Sequence, residues 1–347
     1  MIVKDEEDNI SKCLKSCYKL FDEIIIVDTG STDKTKKIVK KYTNIIYNFK
    51  WVDDFSAARN YAFSFATMDY IMWLDTDDIL KEEDYQKLKK LKQTMNNEYD
   101  IIMLKYNIAF DESGMQTFSY YRERLLKRSK NYKWNDRVHE YIELSGNLKR
   151  EDIAITHDKK TIEKSNRNLN IYKQMILKKE DFTPRNLYYY GRELYEHGDY
   201  EETVKVLTKF IKTKKGWVED NINTCYLLSN CYNLLNKLDD SKIYLYKTFN
   251  YDIPRKKTTC LIGNIFLNNQ EYSKAIYWYN LSLTLKSNKE SGFYESDYDY
   301  FIPYINLCVA YDKVGDDNKA LKYHELSKLV KPDNELVKYN DVYFKQR

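Results

Sequence analysis

Up to about residue 160 this chain alternates β-branched runs with helical periods, and beyond it the strand-like runs vanish. One fold class does not accommodate both halves. The first half opens on an apolar strand at residues 1–4. Apolar residues at Ile10, Cys13, Leu14 and Cys17 then follow a helical period. Residues 23–27 read EIIIV, a run suited to a strand buried on both faces, as in a parallel sheet. The turn DTGSTD leads into a helix ending near Lys41. A strand at 44–49, a helix at 55–66 and a strand at 70–74 complete a β-α-β-α-β-α-β order. That order predicts a mostly parallel, helix-covered sheet, an α/β domain over residues 1–160. Residues 81–98 read as a charged helix. Residues 100–108 and 118–127 read as strands, in an antiparallel arrangement. Short strands are expected near 141–144 and 153–156, and a long helix from near Ile162.

From 161 to 347 helix pairs recur around short polar turns: HGDY at 197–200, KLDD at 237–240, NQEY at 269–272 and VGDD at 314–317. The unit NLYYYGRELYEHGDYEETVKVLTKFI and the unit AYDKVGDDNKALKYHELSKLVKPDNE both resemble the tetratricopeptide repeat in spacing. The second ends at Pro332. An all-α helical repeat domain is therefore expected for 161–347. An irregular helical bundle is the alternative.

Composition narrows the class. The chain has 57 Lys plus Arg against 53 Asp plus Glu, a net +4, too even for a polyanion binder working by bulk charge. The basic residues are interleaved with acids, so nucleic acid is not an expected partner. Only 9 Gly and 4 Pro leave helix to dominate. No apolar run is long enough to span a bilayer, so no integral membrane segment is expected. MIVKDEEDN is acidic within five residues and does not read as a secretion signal, which points to a cytoplasmic setting. The six cysteines form no CxxC pair, so reduced, packed thiols are expected.

Three motifs can carry chemistry. YIMWLDTDD, residues 70–78, is an apolar strand ending in Asp75, Asp77 and Asp78. Ligands bind outside the carboxyl ends of strands in open α/β sheets. Three carboxylates there repel one another unless a cation intervenes, and Mg²⁺ or Mn²⁺ shares oxygen ligands with phosphates. The bland reading is a solvated turn with Asp78 capping the next helix. In EIIIVDTGSTDKT, residues 23–35, Asp28 ends another strand and can accept hydrogen bonds from a base or ribose. In WVDDFSAARNYAFSFA, residues 51–66, Arg59 can meet a base carbonyl or phosphate, or make only a surface salt bridge.

In this order and spacing, MIVKDEE, VDTGSTDKT, FSAARNYAF and YIMWLDTDD resemble the family 2 glycosyltransferases of the GT-A fold. The frame covers residues 1–110 well and 130–160 more loosely. It is similar to the branch with a repeat domain behind the transferase, which includes sublancin-type peptide S- and O-glycosyltransferases. The resemblance implies that Val3 and Asp28 lie against the uracil-ribose end of a UDP-sugar, with Glu6 or Glu7 close by. Arg59 would contact base or diphosphate. Asp75 and Asp77 would be the DxD pair, with Asp77 the metal ligand and Asp78 near the donor sugar or at the helix cap. WNDRVHEYIEL, residues 134–144, resembles the acceptor side of that branch. An inverting transfer needs a base opposite the leaving diphosphate. Glu140 is the first candidate, then His139 and Asp136. His157 would complete the metal shell, since imidazole with carboxylates suits Mn²⁺; a surface histidine is the alternative.

The resulting expectation is a metal-dependent, inverting glycosyltransferase. It would move a sugar from a UDP-sugar to a peptide or protein recruited by the repeats. The alternatives are transfer to a cell-surface or lipid-linked glycan, and a non-catalytic scaffold for protein binding. A homodimer is one assembly the repeats allow.

Overall fold

A computed structural model describes residues 1–111, 114, 116–158, 165–287 and 294–346. Contacts divide the chain into two compact units. The first is Met1–Ala109 with Ser119–Lys179, and the second is Phe110–Phe118 with Glu180–Arg347.

In the first unit, β1 (Ile2–Val3), β2 (Ile26–Asp28) and β3 (Ile46–Asn48) form a parallel three-stranded sheet in the order β1-β2-β3. The helices between them are α1 (Ile10–Cys17) and α2 (Thr35–Val39). Helix α1 buries Ile10, Cys13, Leu14 and Cys17, the face its periodicity marks. The two thiols are packing groups, and all six cysteines are buried and free. The EIIIV run is less regular than expected: only Ile26–Asp28 makes a ladder, and Glu23 instead accepts the Thr67 and Met68 N–H groups.

Helix α3 (Phe55–Ser64), capped by Asp54, leads to β4 (Tyr70–Met72). Here the expected parallel succession breaks. β4 pairs antiparallel with a later strand, Met72 opposite Leu125. That strand, β7 (Gln116–Lys127), belongs to a second sheet with β5 (Asp78–Ile79), β6 (Ile101–Phe110) and β10 (Leu148–His157), ordered β7-β6-β10-β5. β6 follows α4 (Glu82–Thr94). β10 runs parallel to β6 and antiparallel to β5, and its last residue, His157, lies opposite Asp78. A small hairpin of β8 (Trp134–Asn135) and β9 (Tyr141–Ile142) sits between β7 and β10 in sequence.

The unit runs past residue 160. The helix expected from Ile162 has a start outside the described residues, and the described helix is α5 (Arg167–Leu177). It buries Leu169, Ile171, Tyr172 and Met175, and Tyr172 stacks on His139. Those contacts tie it to the sheet unit rather than to the repeats.

The second unit holds four helix pairs and a last helix among the described residues. They are α6 (Pro184–Glu196) with α7 (Tyr200–Thr213), α8 (Val218–Leu234) with α9 (Leu238–Lys247), α10 (Lys256–Asn268) with α11 (Tyr272–Thr284), and α12 (Phe301–Lys313) with α13 (Asp317–Val330), then α14 (Glu335–Gln346). Each polar turn read from the sequence joins one pair. Asp199 and Asp316 cap the second helices of their pairs through the Glu202 and Lys319 N–H groups. Within α10, a Cβ on Gly263 would fall 2.7 Å from the Tyr279 ring of α11, so only glycine permits that approach. No helix among the described residues is long and apolar enough to cross a membrane.

Candidate active site

The strand ends of the first unit converge on a cavity of about 400 Å³. Its walls include Val3, Glu6, Arg59, Asp75, Asp77, His139, Glu140 and His157. Eight of the residues singled out in the sequence therefore share one cavity. Trp51, Phe55, Trp73, Arg122 and Arg167 add walls that sequence reasoning did not assign to it.

Local structure explains the convergence. The Asp54 cap and α3 carry Arg59 inward, where it is 9% exposed. Asn60, its neighbour, clamps the β8 backbone twice, donating to Trp134 O and accepting from Trp134 N–H, both at 2.9 Å. Phe55 N–H donates to Arg137 O at 2.8 Å. The helix thus holds the hairpin that presents His139 and Glu140. Arg59 Nε donates to Glu140 Oε1 at 2.5 Å and Nη2 to Asp75 Oδ1 at 2.7 Å. Its guanidinium stands 4.9 Å from the Trp134 ring centroid and 5.2 Å from that of Trp73. Burial opposes the Arg59 charge, but Asp75 and Glu140 reverse this and hold it firmly protonated. Burial alone would likewise raise the Asp75 carboxyl. Arg59, and then Arg124, outweigh it and hold Asp75 down at about 2.

Asp77 behaves differently. Burial pushes its carboxyl above the usual range; His157 opposes that, and the Asp75 and Asp78 carboxylates add to it. His157 Nδ1 lies 3.6 Å from Asp77 Oδ1 and 3.0 Å from the Tyr106 hydroxyl. The β5–β10 register creates this meeting across 80 residues of sequence, because His157 sits opposite Asp78.

Four singled-out residues, Asp28, Asp78, Glu7 and Asp136, do not reach the cavity wall. Asp28 is 1% exposed, and its oxygens accept the Gly30 and Ser31 N–H groups and pair with Lys36 at 3.0 Å. A strand-end aspartate followed by Thr-Gly-Ser finds backbone donors in its own turn. Asp78 is wholly buried, paired with Arg124 at 2.8 Å, and accepts the Asp75 N–H at 2.9 Å. It does not cap the next helix: Lys81 stands at the N-cap of α4. Glu7 accepts the Lys34 N–H, outside the cavity wall. Asp136 sits in the hairpin turn with φ +70° and is likewise not a wall. The missed residues Arg122 and Arg124 had one visible trace, the charged alternation Arg-Glu-Arg in front of Leu125 and Leu126.

Residues 1–150 match the family model described as "Glycosyl transferase family 2". That stretch makes up most of the first unit, and the helix pairs lie beyond it. The chain is similar to the SPbeta prophage-derived glycosyltransferase SunS of Bacillus subtilis, at 29% identity over 259 residues, 71% of this chain and 60% of that one. This chain therefore spans about three fifths of that relative's length. It is also similar to a TPR repeat-containing protein of Synechococcus elongatus, 43% identical over 26% of this chain and 22% of that one. A third relative is the minor teichoic acid biosynthesis protein GgaB of Bacillus subtilis, 32% identical over 26% of this chain and 11% of that one.

Proposed function

We propose that the first unit transfers a sugar from a UDP-sugar to an acceptor with inversion, using a divalent cation. The observation that carries this is the meeting of Asp75, Asp77, His157, Arg59 and Glu140 around one cavity at the strand ends.

The donor set fits a hard cation. Asp77, Asp78 and His157 bring ligand atoms within 4.8 Å of one another. Asp77 is held above its usual range by burial and by two neighbouring carboxylates, a charge excess that a cation relieves. Carboxylate with imidazole suits Mn²⁺ or Mg²⁺. Asp77 and His157 would hold the ion, which when bound neutralises the diphosphate as it leaves. Tyr106 orients His157 through the 3.0 Å contact.

The chain's own groups supply the rest. Val3 and Glu6 form the nucleotide end of the cavity. Asp28 serves that end by shaping the loop that presents Thr29. Arg59 fixes Asp75 and Glu140 relative to each other and faces the donor's phosphates. Glu140 takes the acceptor proton as the acceptor atom attacks the anomeric carbon. His139 is the second candidate, since it lies on the cavity wall with its ring stacked against Tyr172. A Glu140→Gln variant inactive toward acceptor, beside an active His139→Ala, supports the first assignment; the reverse pattern supports the second.

The helical repeats support a peptide or protein acceptor, because stacked helix pairs offer extended recognition surfaces. The similarity to GgaB supports a second reading, a cell-surface glycan acceptor. The deciding experiment is turnover of a nucleotide-sugar panel with Mn²⁺, Mg²⁺ or EDTA, then mass analysis with peptide and glycan acceptors. Metal-dependent turnover of one UDP-sugar is expected. Absence of both donor binding and turnover would overturn the transferase reading in favour of a binding scaffold.

A further inference from the structure

We propose that Arg124 is a positioning residue for the Asp75–Asp78 loop, acting through Asp78; this rests on the transferase reading above. The antiparallel register sets Met72 of β4 opposite Leu125 of β7, so Arg124 falls beside Trp73 where β4 ends. Its side chain is fully buried, with the guanidinium 3.9 Å from the Trp73 ring centroid and 4.4 Å from that of Tyr106. A single nitrogen, Nη1, donates to Trp73 O at 3.2 Å and to Asp78 Oδ2 at 2.8 Å. The same Oδ2 accepts the Asp75 N–H at 2.9 Å. Arg124 therefore links the residue that enters the acidic loop with the one that leaves it. Asp78 passes that constraint to the backbone of Asp75.

Arg124 is not a wall of the cavity, so it acts only through other residues. Its two rings are shared with the site: Trp73 also faces Arg59 and Arg122, and Tyr106 contacts His157. A metal-binding constellation works when its carboxylates are held to within about 0.5 Å by such supporting groups. The geometry has a specific consequence. Nε and Nη2 of Arg124 make no hydrogen bond. The two-pronged donor pattern that lysine cannot copy is therefore not in use at this position. Lysine, a point donor on a long stem, can replace Nη1; methionine cannot.

The test uses the full chain and Mn²⁺ alone, titrated by electron paramagnetic resonance, with UDP-sugar turnover and thermal melting in EDTA alongside. Arg124→Met should weaken Mn²⁺ binding by about 10–100-fold, the cost typical of removing a supporting partner of a metal ligand. Turnover should fall through kcat more than through KM, and Asp78→Asn should behave alike. Arg124→Lys should keep most of both, even if its melting temperature falls with the lost ring packing. Wild-type affinity and kcat in Arg124→Met overturn the inference and leave the transferase reading standing. Equal losses in Arg124→Lys and Arg124→Met overturn it too, as a merely structural role. Should Arg124→Met fail to fold, Arg124→Lys against Asp78→Asn decides: retention in the first with loss in the second supports positioning, and any other pattern overturns it. A wild-type chain that neither binds Mn²⁺ nor turns over any donor overturns the transferase reading, and this inference with it.

Discussion

Asp77 in the sheet unit and Asp220 in the helical unit are both carboxylates that burial holds above their usual range. Their surroundings differ. Around Asp77 the remaining influences are site groups: His157 opposes the shift, and Asp75 and Asp78 reinforce it. Around Asp220, Arg185 and Arg192 oppose the shift, and one further carboxylate, Glu219, adds to it. Glu219 is itself matched by Arg255, at 2.6 and 2.8 Å. Elsewhere in the helical unit, buried charge is met locally, as Lys256 is by the Ser282 and Asp299 carbonyls. One raised carboxyl thus lies in a cluster of excess negative charge at strand ends, and the other lies in a helix pair where cations offset it. The same physical sign, a buried acid, marks a candidate ligand site in the first case and an architectural cost in the second.

The largest effect should come from Asp77. Asp77→Asn removes a proposed ligand, so donor turnover should fall by at least about a hundredfold, the upper range for losses even of second-layer partners. In EDTA the same variant should melt no lower than wild type, because it removes a half-buried charge from a group of three acids. Activity and stability then move apart, which a structural aspartate would not produce. A variant that loses both together would put Asp77 in the same class as Asp220 and remove the distinction between the units.

That distinction was only partly visible in the sequence. The acid-tipped strand, Arg59 on its helix, and His157 after a strand-like run could be read because each depends on local order. The four polar turns could be read for the same reason. The partnership of Arg124 with Asp78 depends on a β4–β7 pairing that no local pattern specifies, since a strand's periodicity shows its faces and not its neighbours. Asp28 shows the opposite limit. Its residue type suits a ligand contact, yet its carboxylate accepts the N–H groups of its own turn. The hairpin carrying Glu140 was legible as a motif, but the clamp by Asn60 that aims it was not, because those residues lie 74 positions apart.

The helical unit should be more sensitive to volume than to charge. Gly263→Ala would drive a methyl into the buried ring of Tyr279, whose hydroxyl is fixed on Asn264 at 2.6 Å. Overpacking of this kind costs about 1–3 kcal/mol. Better helix propensity returns roughly 1 kcal/mol. A net loss of up to about 2 kcal/mol is expected in denaturant melts, with Mn²⁺ affinity unchanged. Weakened Mn²⁺ binding in this variant would mean that the two units do not keep their functions separate.

The smallest effect is the most direct comparison with Asp77. Burial raises the Asp220 carboxyl from 3.8 to about 6, against the pull of Arg185 and Arg192. Below pH 4 both the folded and the unfolded chain are protonated at this group, and it costs nothing. Between about pH 4 and 6 the unfolded chain ionises first, so stability contributed by the neutral form is lost as pH rises. Above pH 6 the loss is complete. The shift bounds it at about 3 kcal/mol. Asp220→Asn avoids the ionisation but removes one carboxylate's attraction for Arg185 and Arg192, so a net gain of about 1 kcal/mol at pH 7 is expected. The gain should vanish by pH 4, and donor turnover should not change. Denaturant melts across that range check the sign. A gain that persists at pH 4 would show that packing, not charge, governs the site. A loss at pH 7 would show that the arginines more than offset burial, and Asp220 would then be a stabilising partner of the repeat rather than its cost.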